Sequence, residues 1–415
     1  MKDFTSKNIK KIAGYIESGC KEEFVENIGI ECEHIIVDKD NNAVSFYGEN
    51  GVEAILGELR NIYPHAVYSG GHLVGLDNET VFITLEPGAQ FESSIKANDD
   101  LDVIKKEYAN FLFNLKSVTD KYGYKVLTCG YQPRTKAQDI TIIPKTRYDL
   151  MNKYFASKGT KALRMMRASA SAQISLDFYD EEDFKRKYRA AYAIMPILYL
   201  ITDNTEFFEG ERFTDYSARA KMWRDVDNSR CCIPDISFDD ISFEKYAEWI
   251  YTREPIFIYK NGEEVYCGNK TAKEIYAEHE LTQEEIVHLL SMVFPDIRVK
   301  KFLEIRPADC MPKDYLLAYA AFIKGIFYND SALIMIENIF DFMTPQDIEA
   351  GLDNIRREGF EAEYYNFPVK DIISLLFELS ESGLSKREIK ILEPLKNSAC
   401  SSKTVRETSA ELIKQ

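Results

Sequence analysis

Four short apolar segments carry acidic or amide groups at alternating positions. They are Glu31 and Glu33 in IGIECEHIIV, Glu86, Gln90 and Glu92 in FITLEPGAQFESS, Gln173 with Asp177 in AQISLDF, and Glu304 with Arg306 in FLEIR. In extended chain an i,i+2 spacing puts side chains on one face, roughly 6.5 to 7 Å apart. One such pair alone reads as solvated carboxylates. The apolar flanks argue instead for covered strands, where an uncompensated carboxylate is costly and a cation must neutralise it. Hard divalent ions suit oxygen ligands, and Mg²⁺ retains waters and phosphate oxygens in its shell. Carboxylates from several strands aimed into one cavity would make a multi-Mg²⁺ phosphate site.

Arginines that could face a nucleotide or a carboxylate substrate occur near these segments: Arg147, Arg164, Arg167, Arg219, Arg230 and Arg306. No Walker A sequence occurs, and SGGHLVGL (69–76) lacks the Lys-Ser/Thr of a P-loop. His34 falls on the strand parity opposite Glu33, which favours a structural role. His65 and His72 show no metal-ligand spacing with other histidines. The adjacent Cys231 and Cys232 read as two free thiols, because neighbouring cysteines rarely form a comfortable disulfide. Cys310 lies next to the Glu304 segment and reads first as a packed thiol.

The elements that must position these groups follow an α+β pattern, with helices between short antiparallel strands. IGIECEHIIV, YKVLTCGYQP, RASASAQISLDF (167–178) and KKFLEIRPAD read as strands; HLVGLDNETVFITLEP and EPIFIYKNGEEVYCG read as hairpins, the second with Asn261-Gly262 at its tip. Residues 100–122 read as a helix, and from about Tyr315 onward the pattern is nearly all helical, with Gly383 able to cap one helix. The expected division is a catalytic part over 1–314 and a helical C-terminal part over 315–415 packed on it.

With 415 residues, 45% of them hydrophobic, the chain can bury one large core or two smaller ones. A net charge of −16 argues against nucleic acid as a partner. The longest apolar run, AAYAIMPILYLI (190–201), is too short to span a bilayer and contains Pro196, so no membrane role is expected. The N-terminal segment MKDFTSKNIKKIAGYIESG intersperses charge with Ile9, Ile12, Tyr15 and Ile16, an amphipathic helix without a signal-peptide core, and a cytoplasmic location is expected from it. The eight cysteines are scattered with no CxxC pair, which favours reduced thiols.

Six motifs in order along the chain resemble the plant-type and bacterial glutamate-cysteine ligases, within the glutamine-synthetase-like carboxylate-amine ligases. IGIECEH is similar to a Gly-x-Glu-x-Glu strand, and ITLEPGAQFESS to the diagnostic Leu-Glu-Pro-Gly-Gly-Gln-Phe-Glu. RMMRASASAQISLDF resembles the strand with a central Gln and a closing Leu-Asp. YSARAKMWRDVDNSR resembles an Arg-x-x-x-Trp-x-Asp-x-Asp segment, EPIFIYKNGEEVYCG the family hairpin, and FLEIRPADCMP a Glu-x-Arg-x-x-Asp strand.

The resemblance implies a glutamine-synthetase-like antiparallel sheet curved into a partial barrel and surrounded by helices. It also implies an ATP- and Mg²⁺-dependent reaction with two or three ions, in which glutamate is phosphorylated on its γ-carboxylate and an amine displaces phosphate. With cysteine as the amine the product is γ-glutamylcysteine; the alternative is a relative joining glutamate, or another carboxylate, to a different amine in a specialised pathway. By position, Glu31, Glu33, Glu86, Glu92, Gln173 and Glu304 fall on the metal set. Arg219 and Trp223 fall where glutamate is held, and Arg306 where the γ-phosphate or acyl phosphate is contacted. Arg147 and Gln90 are further substrate contacts, and Arg230 a further catalytic arginine. The sequence departs from the pattern at Ala89, at Ser169, Ala170 and Ser171, and at CCIPD after Arg230. These departures bear on the acceptor pocket more than on the metal scaffold.

Overall fold

A computed structural model of the chain describes residues 3–21 and 25–414. Nine strands make its main sheet: β1 (Ile28–Val37), β2 (His65–Ser69), β3 (His72–Asp77), β4 (Val81–Leu85), β5 (Phe91–Asn98), β6 (Lys125–Leu127), β7 (Ala172–Leu176), β8 (Ile297–Val299) and β9 (Leu303–Ile305). Their spatial order is β8-β9-β7-β1-β5-β4-β3-β2, with β6 paired to the end of β1, and every pairing is antiparallel. β8 and β2 stand at opposite ends of this order, so the sheet does not close on itself.

The period-2 pattern divides the sheet into two faces. Ile30, Cys32 and His34 of β1, Ile174 of β7 and Ile305 of β9 are buried on one of them. The principal helices are α1 (Thr5–Glu17), α2 (Leu101–Thr119), α3 (Ala162–Ala168), α4 (Glu181–Ile201), α5 (Lys313–Phe327), α6 (Val369–Ser382) and α7 (Lys386–Cys400). α2 packs on β5, and α5 on β1 and β7. Apolar residues of α2 at Ile104, Tyr108, Phe111 and Leu115 recur at helical spacing and are all fully buried. The run 190–201 is apolar all round because it is the buried half of α4, with Pro196 inside the helix. Among the described residues no helix is long and apolar enough to cross a membrane.

α1 matches the amphipathic segment, whose first two residues lie outside the described ones. It buries Asn8, Ile12 and Ile16 against helix Phe243–Tyr251, with the Asn8 amide donating to Tyr251 Oη at 3.0 Å. Strands Phe257–Lys260 and Glu263–Tyr266 form the expected hairpin, with Asn261 and Gly262 at φ 54° and 83° as a primed turn requires. Beyond Lys313 the chain is helical apart from a short hairpin, Glu363–Tyr364 with Phe367–Pro368. Gly383 does cap α6, although not in a left-handed conformation. A Cβ there would lie 2.3 Å from Gly325 O, so close approach of α5 and α6 demands glycine.

Three segments differ from their sequence reading. Only Ala172–Leu176 of the 167–178 segment is strand; Arg167 lies in α3, and Ser169 and Ser171 make isolated bridges to Tyr131 and Asp309. YKVLTCGYQP keeps a strand only over Lys125–Leu127. FITLEPGAQFESS is a hairpin and not one extended strand: Leu85 pairs with Phe91, and Glu86 to Gln90 form the loop. Ala89 N donates to Glu86 O at 2.9 Å and Ala89 sits at φ 64°, a turn closed by a left-handed residue.

Candidate active site

The antiparallel register brings the polar parity of five strands together. Glu33 stands opposite Glu92, Glu31 opposite Gln173, and Glu304 opposite both Ser175 and Arg298. Thr84 is opposite Glu92, so Glu86, two residues on, extends the same face. This face floors a cleft of about 330 Å³ lined by Glu31, Glu33, Glu86 and Glu92. Lys145, Arg147, Arg219, Arg298, Lys300 and Arg306 line it as well.

The carboxylates are held near neutrality by burial and by one another. Burial, then the charge of Glu86, pushes Glu92 up to about 8. Burial raises Glu31 to about 7, with Glu304 and Glu92 adding to the rise. Glu33 is raised to about 7 by burial and Glu92, and Glu86 is raised by burial and Glu33. Glu304 goes the other way: burial opposes its charge, but Arg298, Lys300 and Arg306 outweigh burial and hold it well below the usual range. Its Oε1 lies 2.6 Å from Arg298 Nη2 and 2.5 Å from Arg306 Nη1, and its Oε2 2.5 Å from Lys300 Nζ. Glu304 therefore lies beneath the cleft on three cations, fully buried. The set suits a hard divalent cation: the floor donors are all oxygens, and burial and mutual repulsion disfavour joint ionisation of the four lining carboxylates unless positive charge is added.

The expected substrate residues fare unequally. Arg306 Nη1 also donates to Gln173 Oε1 at 2.5 Å, and Gln173 Nε2 points to Ser171 Oγ at 3.1 Å. Glu33 accepts from Ser171 N at 2.7 Å and Ser171 Oγ at 2.8 Å. Arg219 is buried in the cleft wall, with Nη1 donating to Pro307 O at 3.0 Å and Ala308 O at 2.8 Å, while its Nε has no hydrogen-bond partner. Trp223 lines the cleft with its ring 6.1 Å from Phe294. Arg147 lines it with an unpartnered Nε.

Two expected site residues are structural. Gln90 borders the cleft but its amide is consumed by backbone: Nε2 donates to Ser169 O at 2.9 Å, and Oε1 accepts from Gly88 N at 2.8 Å. It pins the β4-β5 loop to the end of α3. Arg230 is outside the cleft and fully buried. Its Nε donates to Asp227, Nη1 to Glu254 O and Met292 O, and Nη2 to Tyr154 Oη and Glu254, which uses all five N–H groups.

Arg164 is paired with Glu209 through Nε and Nη2, and Arg167 donates to Ile140 O and Asn152, so neither reaches the cleft. Asp177 sits beyond the cleft, accepting from Asn27 and 3.6 Å from Lys21. His65 and His72 pair with Asp77 and Glu53. All eight cysteines are free thiols, and Cys231, Cys232 and Cys310 are buried.

Sequence reasoning missed Lys145, Arg298, Lys300 and the wall formed by Met165, Met166 and Phe294. Arg298 and Lys300 did carry a signal, an i,i+2 cationic pair in DIRVK that complements Glu304 and Arg306 in FLEIR. Lys145 is fixed by donation to Leu85 O at 3.0 Å, a contact with no sequence signature.

The chain is 30% identical over 387 residues to the chloroplastic glutamate-cysteine ligase of Arabidopsis thaliana, covering 91% of this chain and 74% of the relative. It is 30% identical over 388 residues to the chloroplastic glutamate-cysteine ligase B of Oryza sativa subsp. japonica, covering 91% and 78%. In fold it is similar to the glutamate-cysteine ligase of Francisella tularensis, solved in complex with AMP, at a TM-score of 0.57 and 12% identity over 94% of this chain and 85% of that one. A bifunctional glutathione synthetase from Pasteurella multocida superposes with a TM-score of 0.54 and 12% identity over 98% of this chain and 51% of that one. The plant relatives are named chloroplastic, which overturns the cytoplasmic placement expected from α1. The amphipathic pattern of α1 is a packing signal, spent on helix Phe243–Tyr251, and carries no information on compartment. The model of glutamate-cysteine ligase family 2 matches residues 27–349, a span that holds every candidate residue of the cleft, and the chain belongs to that family of ATP-dependent ligases.

Proposed function

We propose that the cleft joins the γ-carboxylate of L-glutamate to the amine of L-cysteine with cleavage of ATP, forming γ-glutamylcysteine through a γ-glutamyl phosphate. The observation that carries this reading is a floor of mutually repelling carboxylates ringed by six cationic side chains. Two anions, a carboxylate and a triphosphate, must meet there, and fixed positive charge offsets their repulsion. Glu31, Glu33, Glu86, Glu92 and Gln173, which line the cleft, would hold two or three Mg²⁺ ions, which when bound supply Lewis acidity at the phosphoryl oxygens; Glu304, expected in that set from its motif, is spent on Arg298, Lys300 and Arg306 beneath the cleft and anchors them instead.

The remaining steps fall to this chain's own groups. Arg219, fixed by two backbone carbonyls, takes the α-carboxylate of glutamate, and Trp223 covers its methylenes. Arg306, with Arg298 and Lys300 beside it, stabilises charge on the transferring phosphoryl group, and Arg147 and Lys145 steady the triphosphate from the Glu86 side of the cleft. The cysteine amine enters neutral, attacks the acyl carbon and expels phosphate, which carries away the amine proton as the amide forms. Met165, Met166 and Phe294 offer a soft, polarisable wall suited to a thiol side chain. In the same reading the sheet is a glutamine-synthetase-like one curved into a partial barrel. Residues 1–314 form the catalytic part and 315–415 a helical part packed on it.

The test is glutamate- and Mg²⁺-dependent ADP release across a panel of amines. Cysteine is expected to exceed other amines at least tenfold in kcat/KM. A cysteine rate no better than theirs overturns the assigned acceptor, and no ADP release with any amine overturns the role of the cleft.

A further inference from the structure

Directly behind Glu31 and Glu33, on the buried face of β1, lies a second cluster of ligating groups that the ligase chemistry does not use. Cys32 and His34 project there from β1, and Cys310 comes from the segment following β9, 278 residues away. All three are fully buried. Their ligand atoms lie within 4.8 Å of one another, and the two Sγ atoms are 3.6 Å apart. The Tyr108 hydroxyl of α2 closes the group, 2.9 Å from His34 Nε2 and 3.5 Å from Cys32 Sγ.

We infer that Cys32, His34 and Cys310, with Tyr108 as the fourth donor, form a binding site for a zinc-class divalent ion that staples β1 to α2 and to the Cys310 segment. Tetrahedral Zn²⁺ with bonds of about 2.3 Å to sulfur and about 2.0 Å to nitrogen needs sulfurs roughly 3.8 Å apart, and sulfur-to-oxygen edges near 3.5 Å. The Cys32–Cys310 and Cys32–Tyr108 spacings, 3.6 and 3.5 Å, already match those edges. His34 is oriented as a metal ligand is: Phe91 O, 2.9 Å from Nδ1, can only accept, so Nδ1 carries a proton and Nε2 is the nitrogen turned to the cluster, free to ligate once any proton on it is released.

Charge selects the ion. Binding displaces two protons from the cluster to solvent, and two thiolates with a neutral imidazole and a Tyr108 hydroxyl that keeps its proton leave a divalent ion at zero net charge. That is the state a fully buried site tolerates; a monovalent ion would leave one negative charge there. Sulfur and nitrogen donors disfavour Mg²⁺, so this site and the carboxylate floor on the other face of β1 take different metals.

The test uses the full chain expressed with zinc or with cobalt, passed through metal-free buffer under reducing conditions. About one equivalent of zinc per chain is expected, and the cobalt form should show thiolate-to-cobalt charge transfer and intense tetrahedral visible bands. Carboxylate-bound cobalt gives no thiolate band, which keeps the two sites distinguishable. Cys310→Ala and Cys32→Ser should each cut bound zinc at least tenfold and remove the band, whereas Cys400→Ser should leave both unchanged. Folding of each variant is checked by circular dichroism, and a variant that fails to fold is replaced by His34→Gln. Less than a tenth of an equivalent of zinc with no thiolate band in the wild type overturns the site. So does a thiol titration of the unfolded chain that finds six thiols instead of eight, because Cys32 and Cys310 would then be a disulfide.

Discussion

Glu33 on β1 and Glu92 on β5 stand directly opposite each other in the antiparallel ladder, both on the floor of the cleft. Like charges so placed destabilise a sheet unless something intervenes. Glu33 accepts two short hydrogen bonds from Ser171, whereas Glu92 accepts one long one from Ser94 Oγ, at 3.3 Å, and faces Glu86 on its other side. Glu92→Gln should therefore raise the melting temperature of the metal-free protein by about 2 °C at pH 8, where about 1 kcal/mol of repulsion is relieved. The same variant should lose the stabilisation that Mg²⁺ gives the wild type and about 10² in kcat. A variant whose Mg²⁺-induced shift equals the wild type's would remove Glu92 from the metal set.

The raised carboxyl groups set a direction for stability against pH. Glu31 and Glu33 are raised to about 7 and Glu92 to about 8, above their unfolded value of 4.5. Between those values the folded chain holds more protons than the unfolded one, so the contribution of these groups to stability falls as pH rises from 5 to 8. Mg²⁺ binds the ionised form, so its stabilising effect should grow over the same window. Thermal melts at pH 5, 6, 7 and 8 with and without Mg²⁺ test this, with Glu92→Gln as the reference that isolates the cleft. A gap between the two conditions that does not widen with pH counts against the assignment.

Glu304 and Arg306 occupy the centre of the charge network, and Arg306 also holds Gln173. Arg306→Ala removes a fixed cation from the transferring phosphoryl group, and Glu304→Gln releases three cations from their shared anchor. Each should lower kcat by about 10² with a smaller change in KM for ATP. Near-normal turnover in either variant would place phosphoryl transfer elsewhere.

The sequence made the strands and their polar parity legible because both follow from local alternation and composition. Glu31 with Glu33 and Glu304 with Arg306 could be put on one face from spacing alone. The partners across the ladder could not: that Glu33 meets Glu92 and Arg298 meets Glu304 is register, fixed by long-range pairing. Arg230 shows the reverse failure. Its residue type and motif position suited catalysis, but only the fold reveals that its donors are already spent. Arg167 was misplaced because serine-alanine alternation mimics a strand where the chain ends a helix.

Arg230 thus makes a prediction of its own. Arg230→Lys keeps the charge but loses the fork that reaches Asp227, Glu254 and Tyr154 together. Leaving those groups buried and underpaired should cost about 3 kcal/mol or more in stability. Activity per folded molecule should stay within a few-fold of wild type at a temperature where both are folded. A stable variant with a hundredfold lower kcat would return Arg230 to the catalytic machinery.

The β4-β5 loop separates two kinds of glycine requirement. A Cβ on Gly88 would lie 2.1 Å from Arg167 O, against backbone that cannot yield without moving α3. Position 89 needs only a left-handed conformation, which alanine adopts here at φ 64°. Such a conformation costs a residue with a Cβ roughly 1–2 kcal/mol. In Ala89→Gly that relief is opposed by the lost burial of a methyl group, about 0.8 kcal/mol, and by roughly 0.5–1 kcal/mol of added unfolded-state entropy. Ala89→Gly should therefore stay within about 1 kcal/mol of wild type, whereas Gly88→Ala should cost about 3 kcal/mol or more. It should also lower kcat, since the loop sets Glu86 and Glu92. Urea unfolding of the two variants decides it: a Gly88→Ala protein as stable as wild type would mean that Gln90 and α3 do not hold the loop as closely as its contacts imply.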